Sequence, residues 1–275
     1  MYTFNCKGRL LTWDQPILMG IVNVTPDSFY SGSRIQTPDV LLAAAEKMLR
    51  DGAKILDVGG MSSRPAALEI PVEEELNRVV PAIEAIAGNF PKAFISVDSY
   101  RPAVVEKAIH AGACMINDVS GGKEPAMIDL AAQHKVPYIC MHMRGTPQTM
   151  QKLNHYDDLV RDVLDYFIRR KSEYLRRGLK DLVIDPGFGF AKNHAQNFQL
   201  LKRLSVLSML NLPVMAGLSR KSSIYRTLGT SPDEALNGTT VLNTLALQNG
   251  ASILRVHDVK EADEAIRLWT SYAKA

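Results

Sequence analysis

The chain has 275 residues, of which 46% are hydrophobic and 22% are charged, and its formal net charge is +3. This composition is that of an ordinary globular protein, and the longest basic block, Arg169-Arg170-Lys171, is too short to favour a nucleic-acid-binding protein. Cys6, Cys114 and Cys140 are too widely spaced for a zinc site and too few for a disulfide framework, which suits a reducing compartment. Because the N-terminal residues match neither a signal peptide nor a membrane span, we expect a cytoplasmic protein.

In chain order, the first predicted element is a β-hairpin, in which residues 2–6 and 9–13 flank the turn Lys7-Gly8. A strand-then-helix unit then repeats. Short apolar runs predict strands at about residues 17–22, 54–58, 93–97, 114–117, 137–142, 181–185, 213–217 and 252–256. Helical periodicity follows each strand, at residues 40–49, 73–87, 102–111, 124–134, 157–177, 197–204, 232–248 and 260–273.

The helix boundaries carry the expected signals. Thr37-Pro38 and Ser231-Pro232 are typical of helix starts, and Gly112 and Gly178 are typical of helix ends. Eight β-then-α units predict an α/β fold, namely a (β/α)8 TIM barrel. The barrel would occupy residues 16–273 and the hairpin residues 1–14, within a single domain spanning residues 1–275. An open doubly wound sheet is the alternative, but no GxGxxG motif follows any predicted strand.

Each predicted strand ends in polar or charged residues. In chain order these are Asn23; Asp57; Asp98; Asn117-Asp118; His142; Asp185; Ser219-Arg220-Lys221-Ser222; and Arg255 with His257. A single such group would be explained by a turn or a helix cap. Caps do not account for Arg, Lys and His at the ends of several strands, whereas the C-terminal face of a barrel is where such enzymes place their chemistry. We therefore predict one shared polar pocket.

One half of this pocket is rich in hydrogen-bond acceptors. Asp98, Asn117 and Asp185 would need a partner that offers N–H donors, since buried carboxylates are costly when unpaired. A fused aminopyrimidinone ring supplies two such donors to one carboxylate, and Lys221 could donate to its carbonyl or ring nitrogen. Met141 and Phe190 are candidates to cover the faces of this ring, although plain core packing explains them equally well.

The other half is cationic and contains Arg64, Lys221, Arg255 and His257. Barrels commonly bind phosphate with the loops after their last two strands, where the last three of these residues lie. The segment 217–222 also opens a helix, although it lacks the glycine spacing of a P-loop. Because a diphosphate carries more charge than one arginine offsets, Asn23 could provide an amide oxygen to a Mg²⁺ ion that otherwise keeps water and phosphate ligands.

Several segments together resemble the dihydropteroate synthase family of the folate pathway. They are Asn23-Val24-Thr25-Pro26-Asp27-Ser28-Phe29, Asp57-Val58-Gly59-Gly60 with Ser63-Arg64-Pro65, Asn117-Asp118-Val119-Ser120-Gly121, Asp185-Pro186-Gly187-Phe188-Gly189-Phe190, Ser219-Arg220-Lys221-Ser222 and Arg255-Val256-His257-Asp258-Val259. The resemblance extends from about residue 16 to residue 272. It implies a transferase that condenses 6-hydroxymethyl-7,8-dihydropterin diphosphate with 4-aminobenzoate and releases diphosphate and 7,8-dihydropteroate by dissociative substitution.

The resemblance also implies roles for individual residues. Asp98, Asn117, Asp185 and Lys221 would bind the pterin, with Met141 and Phe190 beside it; Asn23, Ser63, Arg64, Arg255 and His257 would bind the diphosphate; Phe29, Ser63, Pro65 and Ser222 would border the aminobenzoate. Lys221, Asp98, Asp185 and Arg255 would be the catalytic residues, and Asn23 would ligate Mg²⁺. The family further implies a homodimer and a target of sulfonamides, with no nucleic-acid or membrane partner.

This chain departs from the family pattern in two loops. Tyr30 and Ser31 follow Phe29 where the family usually has Ser-Asp, Met61 stands where Glu is frequent, and Ala66 where Gly is frequent. The departures concern loop ordering, aminobenzoate affinity and the response to sulfonamides. Three other functions compete: a pterin-binding methyltransferase, a silent pterin-binding paralogue, and an aldolase that uses Lys221 as a Schiff base. The retained cationic cluster and Asn23 disfavour all three.

Overall fold

The computed structural model describes residues 1–24, 37–61 and 69–275. It begins with the predicted hairpin, in which β1 (Tyr2–Cys6) pairs antiparallel with β2 (Arg9–Trp13). The turn falls at Lys7 and Gly8, both of which have positive φ angles of 55° and 89°. Glycine tolerates this backbone region without steric cost, which explains why the strands turn here.

Eight parallel strands form the predicted TIM barrel. They are β3 (Ile17–Asn23), β4 (Ala53–Gly59), β5 (Phe94–Asp98), β6 (Met115–Asp118), β7 (Tyr138–Met141), β8 (Leu182–Asp185), β9 (Met215–Ala216) and β10 (Ile253–Val256). Their spatial order is β8-β7-β6-β5-β4-β3-β10-β9. A parallel bridge between Ile184 and Val214 joins the two ends of this sheet, and the barrel is nearly closed.

Helices connect the strands on the outside of the barrel. Those described are α1 (Pro38–Arg50), α2 (Val72–Asn89), α3 (Pro102–Ala111), α4 (Pro125–His134), α5 (Leu159–Arg176), α6 (His194–Lys202), α7 (Ser222–Leu228), α8 (Leu236–Gln248) and α9 (Val259–Lys274). The Thr37 hydroxyl accepts the Val40 N–H at 3.4 Å, so the predicted cap of the first helix is confirmed. Within the described residues, no helix is both long and apolar enough to span a membrane.

Alternate residues of each strand enter two separate cores. Leu18, Leu56 and Leu254 pack outward against the helices. Met19, Ile55 and Ile253 point into the barrel, where they meet the hairpin side chains of the N-terminal end. Because side chains alternate with a period of two along a strand, the same inward row leads upward to the polar residues at the C-terminal face.

Three predicted elements differ from the observed ones. The helix that residues 217–222 were expected to open is α7, but its extent was not predicted, because Ser222–Leu228 is only two turns long and carries little periodicity. Helix α8 begins at Leu236 rather than at residue 232. The Pro232 and Asp233 carbonyls accept hydrogen bonds from Arg220, and the Pro232 carbonyl closes a tight turn with the Ala235 N–H rather than an α-helical turn. Helix α6 begins earlier than predicted, because Asn193 and Gln196 form a capping box.

Candidate active site

The carboxyl ends of neighbouring strands place several predicted residues at one level. Asn23 of β3 lies opposite Gly59 of β4, which lies opposite Asp98 of β5, and Asp98 lies opposite Asn117 of β6. On the other side of the barrel, Asp185 of β8 lies opposite Met141 of β7. The C-terminal face therefore carries two aligned sets of strand ends, one from β3 to β6 and one from β7 to β8, offset where Asn117 pairs with Ile139.

Arg255 connects three of these strands through two carboxylates. Its Nε donates to Asp57 Oδ2 and its Nη2 donates to Asp98 Oδ2, both at 2.6 Å. Asn117 Nδ2 donates to the same Asp57 oxygen at 2.8 Å. Because its amide nitrogen donates to Asp57, Asn117 presents its side-chain carbonyl oxygen as the acceptor for a ligand.

Burial and charge shift the pKa values of this network in opposite directions. Burial raises the pKa of Asp98, and the Arg255 guanidinium counteracts the rise only in part. Burial alone would lower the pKa of Arg255, but the Asp57 and Asp98 carboxylates raise it above the usual value, so Arg255 stays charged. One cation thus holds two carboxylates in a site where each would otherwise be disfavoured.

Lys221 and Asp185 form the opposite wall. Lys221 Nζ donates to the Phe188 carbonyl and lies 4.9 Å from the centroid of the Phe190 ring. Burial lowers the pKa of Lys221 to about 8 even though Asp185 acts to raise it. Asp185 is buried, accepts the Gly187 N–H at 2.8 Å, and has its pKa raised by burial.

A small apolar cluster lies beside this wall. Met141 and Phe190 belong to it, together with Val119, Met143 and Tyr100. Met141 is almost fully buried, whereas Phe190 is only half-buried. Both predicted ring-covering residues are therefore at the C-terminal face and in one cluster, rather than in the main core between sheet and helices.

Ser219 sets the orientation of His257. The Ser219 hydroxyl accepts the His257 backbone N–H at 3.2 Å and lies 3.1 Å from His257 Nδ1. We assign the hydroxyl hydrogen to Nδ1, and with this assignment the imidazole hydrogen lies on Nε2. Burial, and then Arg255, lower the pKa of His257 to about 4. The expectation that His257 belongs to a cationic half was therefore wrong, because burial and the Arg255 charge disfavour protonation; the imidazole is a neutral N–H donor.

Arg220 is turned away from the pocket. Its guanidinium forms a two-point ion pair with Asp258, at 2.9 and 2.8 Å, and donates to the Pro232 and Asp233 carbonyls. The residue has a positive φ of 53°, which reverses the chain between Ser219 and Lys221. We name this contact the Arg220–Asp258 clasp. It joins the loops that follow β9 and β10.

Two further strand-end residues from the sequence pattern do not face the pocket. Asp118 accepts hydrogen bonds from the Ser120 and Gly122 N–H groups and from Tyr138, and thereby shapes the loop after β6. His142 is buried against Tyr166 at a ring distance of 5.0 Å. The expectation that all eight strand ends point into one pocket was therefore wrong at His142, because this residue lies just beyond the inward-facing Met141.

Sequence reasoning noted Asp57 at a strand end but gave it no role. The structure shows it fully buried, with Oδ2 holding both Asn117 and Arg255. Its other oxygen, Oδ1, has no hydrogen-bond partner among the described residues. An inward position two residues before the strand end was the available signal, because inward positions recur with period two.

Of the remaining predicted residues, some lie outside the described ranges and others lie within them. Phe29, Ser63, Arg64 and Pro65 lie outside the described residues, as do the departures at Tyr30, Ser31 and Ala66. Ser222 is half-buried and begins α7, directly after Lys221. Met61 is described, with its sulfur 3.9 Å from the Tyr100 hydroxyl.

The chemistry of the described donors bears on the predicted metal. Among them no three His, Cys, Asp or Glu side chains are grouped to hold a metal ion. Asn23, half-buried at the end of β3, offers an amide oxygen on the face that contains Arg255 and His257. This set cannot enclose a metal by itself but fits a Mg²⁺ ion that keeps several waters and binds together with a phosphorylated substrate.

The fold and the site define a class: a TIM-barrel enzyme whose C-terminal face pairs buried carboxylates with fixed cations. The sequence profile described as "Pterin binding enzyme" matches residues 19–257. Dihydropteroate synthase of Escherichia coli strain K12 is 44% identical over 264 residues, which cover 95% of this chain and 93% of that protein.

Two solved structures agree with this match. The Yersinia pestis dihydropteroate synthase, in a complex with a sulfonamide drug, has a TM-score of 0.95 and 40% identity, with 100% of both chains covered. The Xanthomonas albilineans enzyme, in complex with 7,8-dihydropteroate, has a TM-score of 0.88 and 40% identity, again with 100% of both chains covered. The chain belongs to the dihydropteroate synthases, transferases of folate biosynthesis within the pterin-binding enzyme family.

Proposed function

We propose that this protein joins the methylene carbon of 6-hydroxymethyl-7,8-dihydropterin diphosphate to the amino nitrogen of 4-aminobenzoate. The C–O bond to diphosphate breaks, a C–N bond forms, and the amine loses one proton, so that the products are 7,8-dihydropteroate, diphosphate and a proton. No external oxidant or reductant is required. The assigned family performs this condensation, and the residues at the strand ends suit both halves of the first substrate.

The observation that carries the proposal is the arrangement of acceptors around Lys221. Asp98, Asn117 and Asp185 lie at the ends of three strands of one barrel face. Asn117 is held with its carbonyl oxygen toward the pocket, and the buried Asp185 and the half-buried Asp98 lie near cations that favour their charged forms. A pterin offers several N–H groups along one edge and a carbonyl beside them, which complements these acceptors and the Lys221 ammonium.

The same groups favour departure of diphosphate before the amine attacks. The intermediate would be a pterin-stabilised cation at the methylene carbon. In their ionised forms, Asp98 and Asp185 stabilise such a cation more than the neutral ring, and stabilisation of developing charge is what accelerates a reaction. Ser219 lies 3.1 Å from His257 Nδ1, but it is buried and also accepts the His257 backbone N–H, so we give it no role as a nucleophile. Positioning of the two substrates supplies the rest of the rate enhancement.

We assign the diphosphate to the cationic part of the pocket. Arg255 stays charged and His257 offers Nε2–H, while Arg64 and Ser63 are assigned from the family alone. Asn23 would hold Mg²⁺ together with the diphosphate and water. When bound, this ion would neutralise negative charge on the leaving group. Phe29, Ser63, Pro65 and Ser222 would border the aminobenzoate, where sulfonamides would compete with it.

A direct assay tests the proposed reaction. Purified protein is mixed with the pterin diphosphate, Mg²⁺ and 4-aminobenzoate, and 7,8-dihydropteroate is detected by mass. We expect product that requires both substrates and is reduced by a chelator that removes Mg²⁺. If the active sample forms no more product than heat-killed protein while both substrates remain intact, the proposed function is wrong.

We also propose that the protein is a homodimer and that it works in the cytoplasm. Val241 and Leu245 of α8 and Leu228 of α7 are 52%, 44% and 52% exposed, and burial of such side chains favours association. Sedimentation at several concentrations should give twice the chain mass, and charged substitutions at Val241 and Leu245 should give monomers. A monomer at all concentrations would contradict this assignment. The three free, buried cysteines suit a reducing compartment.

A further inference from the structure

Lys192 is a buried lysine that neither the sequence pattern nor the proposed reaction uses. Its side chain lies behind the pocket wall and the residue is only 3% exposed. The ammonium lies 3.0 Å from His142 Nδ1, 3.0 Å from the Gly187 carbonyl and 3.0 Å from the Phe190 carbonyl. The His142 carbonyl is a fourth and more distant acceptor at 3.5 Å, so every N–H donor of the ammonium has a partner. No carboxylate of the described residues forms a salt bridge with Lys192.

Burying a lysine ammonium without a carboxylate partner lowers the stability of the fold. Burial lowers the pKa of Lys192 to about 7, which reflects the cost of keeping the ammonium away from water. A methionine, whose unbranched side chain is closest to lysine in length, would fill most of this space without that cost. The groups that the ammonium contacts therefore indicate which part of the structure Lys192 stabilises.

Those contacts hold a strained loop. Between β8 and α6, Gly187, Gly189 and Ala191 have positive φ angles of 70°, 83° and 48°. The value at Ala191 is unfavourable for a residue with a Cβ atom and persists only where surrounding contacts impose it. We name residues 186–193 the β8 loop.

Side chains from several elements impose this conformation. The Lys192 ammonium donates to the Gly187 and Phe190 carbonyls, and the Lys221 ammonium donates to the Phe188 carbonyl. The Tyr156 hydroxyl donates to the Ala191 carbonyl at 2.9 Å. Through His142, Lys192 also ties the β8 loop to the end of β7. The approach is close, since a Cβ on Gly187 would lie 2.2 Å from the His142 carbonyl oxygen.

The β8 loop carries one wall of the candidate active site. It places the Phe190 ring 4.9 Å from Lys221 Nζ, and the Gly187 N–H at its start donates to Asp185 Oδ1 at 2.8 Å. The Lys192 charge also favours the ionised form of Asp185. We propose that Lys192 is a positioning residue for the pterin, whose ammonium holds the β8 loop so that Phe190 and Asp185 meet the ring. This inference rests on the proposed function and assigns the new role to the pterin half alone.

The test compares Lys192→Met with Lys171→Met. Lys171 makes the same kind of bond, from Nζ to the Leu210 carbonyl at 2.7 Å, but on the outside of the barrel. The probe is 6-hydroxymethylpterin, titrated calorimetrically, alongside steady-state kinetics with both substrates. We expect Lys192→Met to raise the pterin Kd and the KM for the pterin diphosphate at least tenfold while changing the KM for 4-aminobenzoate less than threefold. Lys171→Met should change none of these.

A second background shows whether Lys192 acts through the loop. In Phe190→Leu protein, adding Lys192→Met should raise the pterin Kd less than threefold, because the ring that the loop positions is already lost. If Lys192→Met does not fold, Lys192→Gln and Tyr156→Phe replace it, since each weakens a different anchor of the β8 loop. Both should weaken pterin binding selectively.

Either of two results overturns the inference. One is an unchanged pterin Kd in folded Lys192 variants. The other is an equal loss of affinity for both substrates that parallels a fall in melting temperature, as a purely structural lysine would produce. Turnover of the unsubstituted protein is measured in the same series. If that protein makes dihydropteroate, these results count against Lys192 only; if it makes none, the proposed function itself fails.

Discussion

Lys221 and Asp185 are the residues on which the pterin half of the site most depends. Lys221→Ala removes the ammonium and Asp185→Asn removes a buried charge while keeping the shape. We expect each to reduce turnover at least about 100-fold, since loss of one fixed electrostatic partner costs a few kcal/mol of transition-state stabilisation. Melting temperatures should change little, because both side chains line the pocket rather than the core.

Lys202→Ala is the control for this pair of substitutions. Lys202 is exposed in the last turn of α6, and its removal should leave turnover unchanged. Near-normal rates in both pocket variants would show that the site has been assigned to the wrong residues.

The lowered pKa of Lys221 predicts a pH dependence. This pKa is about 8, so the ammonium is protonated below that pH and is lost as a donor when the pH rises above it. Burial raises the pKa values of Asp98 and Asp185, so their protonation should weaken pterin binding at a higher pH than ordinary carboxyl groups would. We expect a bell-shaped profile of kcat/KM for the pterin diphosphate, measured from pH 5 to pH 10, with its basic limb near pH 8.

Lys221→Arg separates this explanation from others. A guanidinium stays charged throughout the range, so the basic limb should disappear even if the maximal rate is lower. A limb that remains in the variant would have to come from another group.

Among the connecting elements, the Arg220–Asp258 clasp decides how two loops meet. Both side chains are largely buried, with exposures of 4% and 12%, and the ion pair joins the segments that contain Lys221 and His257. Removing either partner leaves the other charge buried without compensation, which costs about 3 kcal/mol or more. We therefore expect Arg220→Met and Asp258→Asn each to lower the free energy of unfolding by about this amount in urea titrations.

A double-mutant cycle distinguishes a specific pair from two independent losses. The double variant should be less destabilised than the sum of the single variants by about 1–3 kcal/mol, because the second substitution removes the charge that the first left unpaired. Strict additivity would mean that the two residues stabilise their loops separately.

For the molecule as a whole, the hairpin and the active site lie at opposite ends of the barrel. Phe4, Leu11 and Trp13 of the hairpin join the inward side chains of the strands at the N-terminal end. Hydrogen bonds hold it there, including the Asn5 N–H to Asp181 at 2.8 Å and the Arg9 guanidinium to the Pro91 and Ala93 carbonyls, also at 2.8 Å. Substitutions in the hairpin should therefore change the stability of the protein without changing its catalytic activity.

Trp13→Ala tests this separation. Deleting a buried tryptophan should lower the free energy of unfolding by about 3–5 kcal/mol, while kcat and both KM values of the folded protein stay within about twofold. Leu10→Ala, on the same strand but 68% exposed, should change neither stability nor activity. A large fall in kcat for folded Trp13→Ala would show that the hairpin influences the distant pocket.

Much of the fold was predictable because it depends on local patterns. The positions of the barrel strands followed from short apolar runs, and several helix boundaries followed from caps and glycines. The start of α7 was expected but its length was not, because two turns show too little periodicity. Helix α8 begins later than predicted, and the Arg220 guanidinium, which no local helix signal reveals, donates to two carbonyls at the predicted start.

The candidate site divides in the same way. Asp98, Asn117, Asp185, Lys221, Arg255 and His257 were recognisable from their places at strand ends and from the family motifs. The partner of each was not, because Arg255 and Asp57 are separated by 198 residues and meet only when the barrel closes. Lys192 follows the same rule. In the sequence it is one lysine before a helix, and its role is visible only where the loops after two neighbouring strands fold against each other, since burial and the direction of a side chain are properties of the packed barrel.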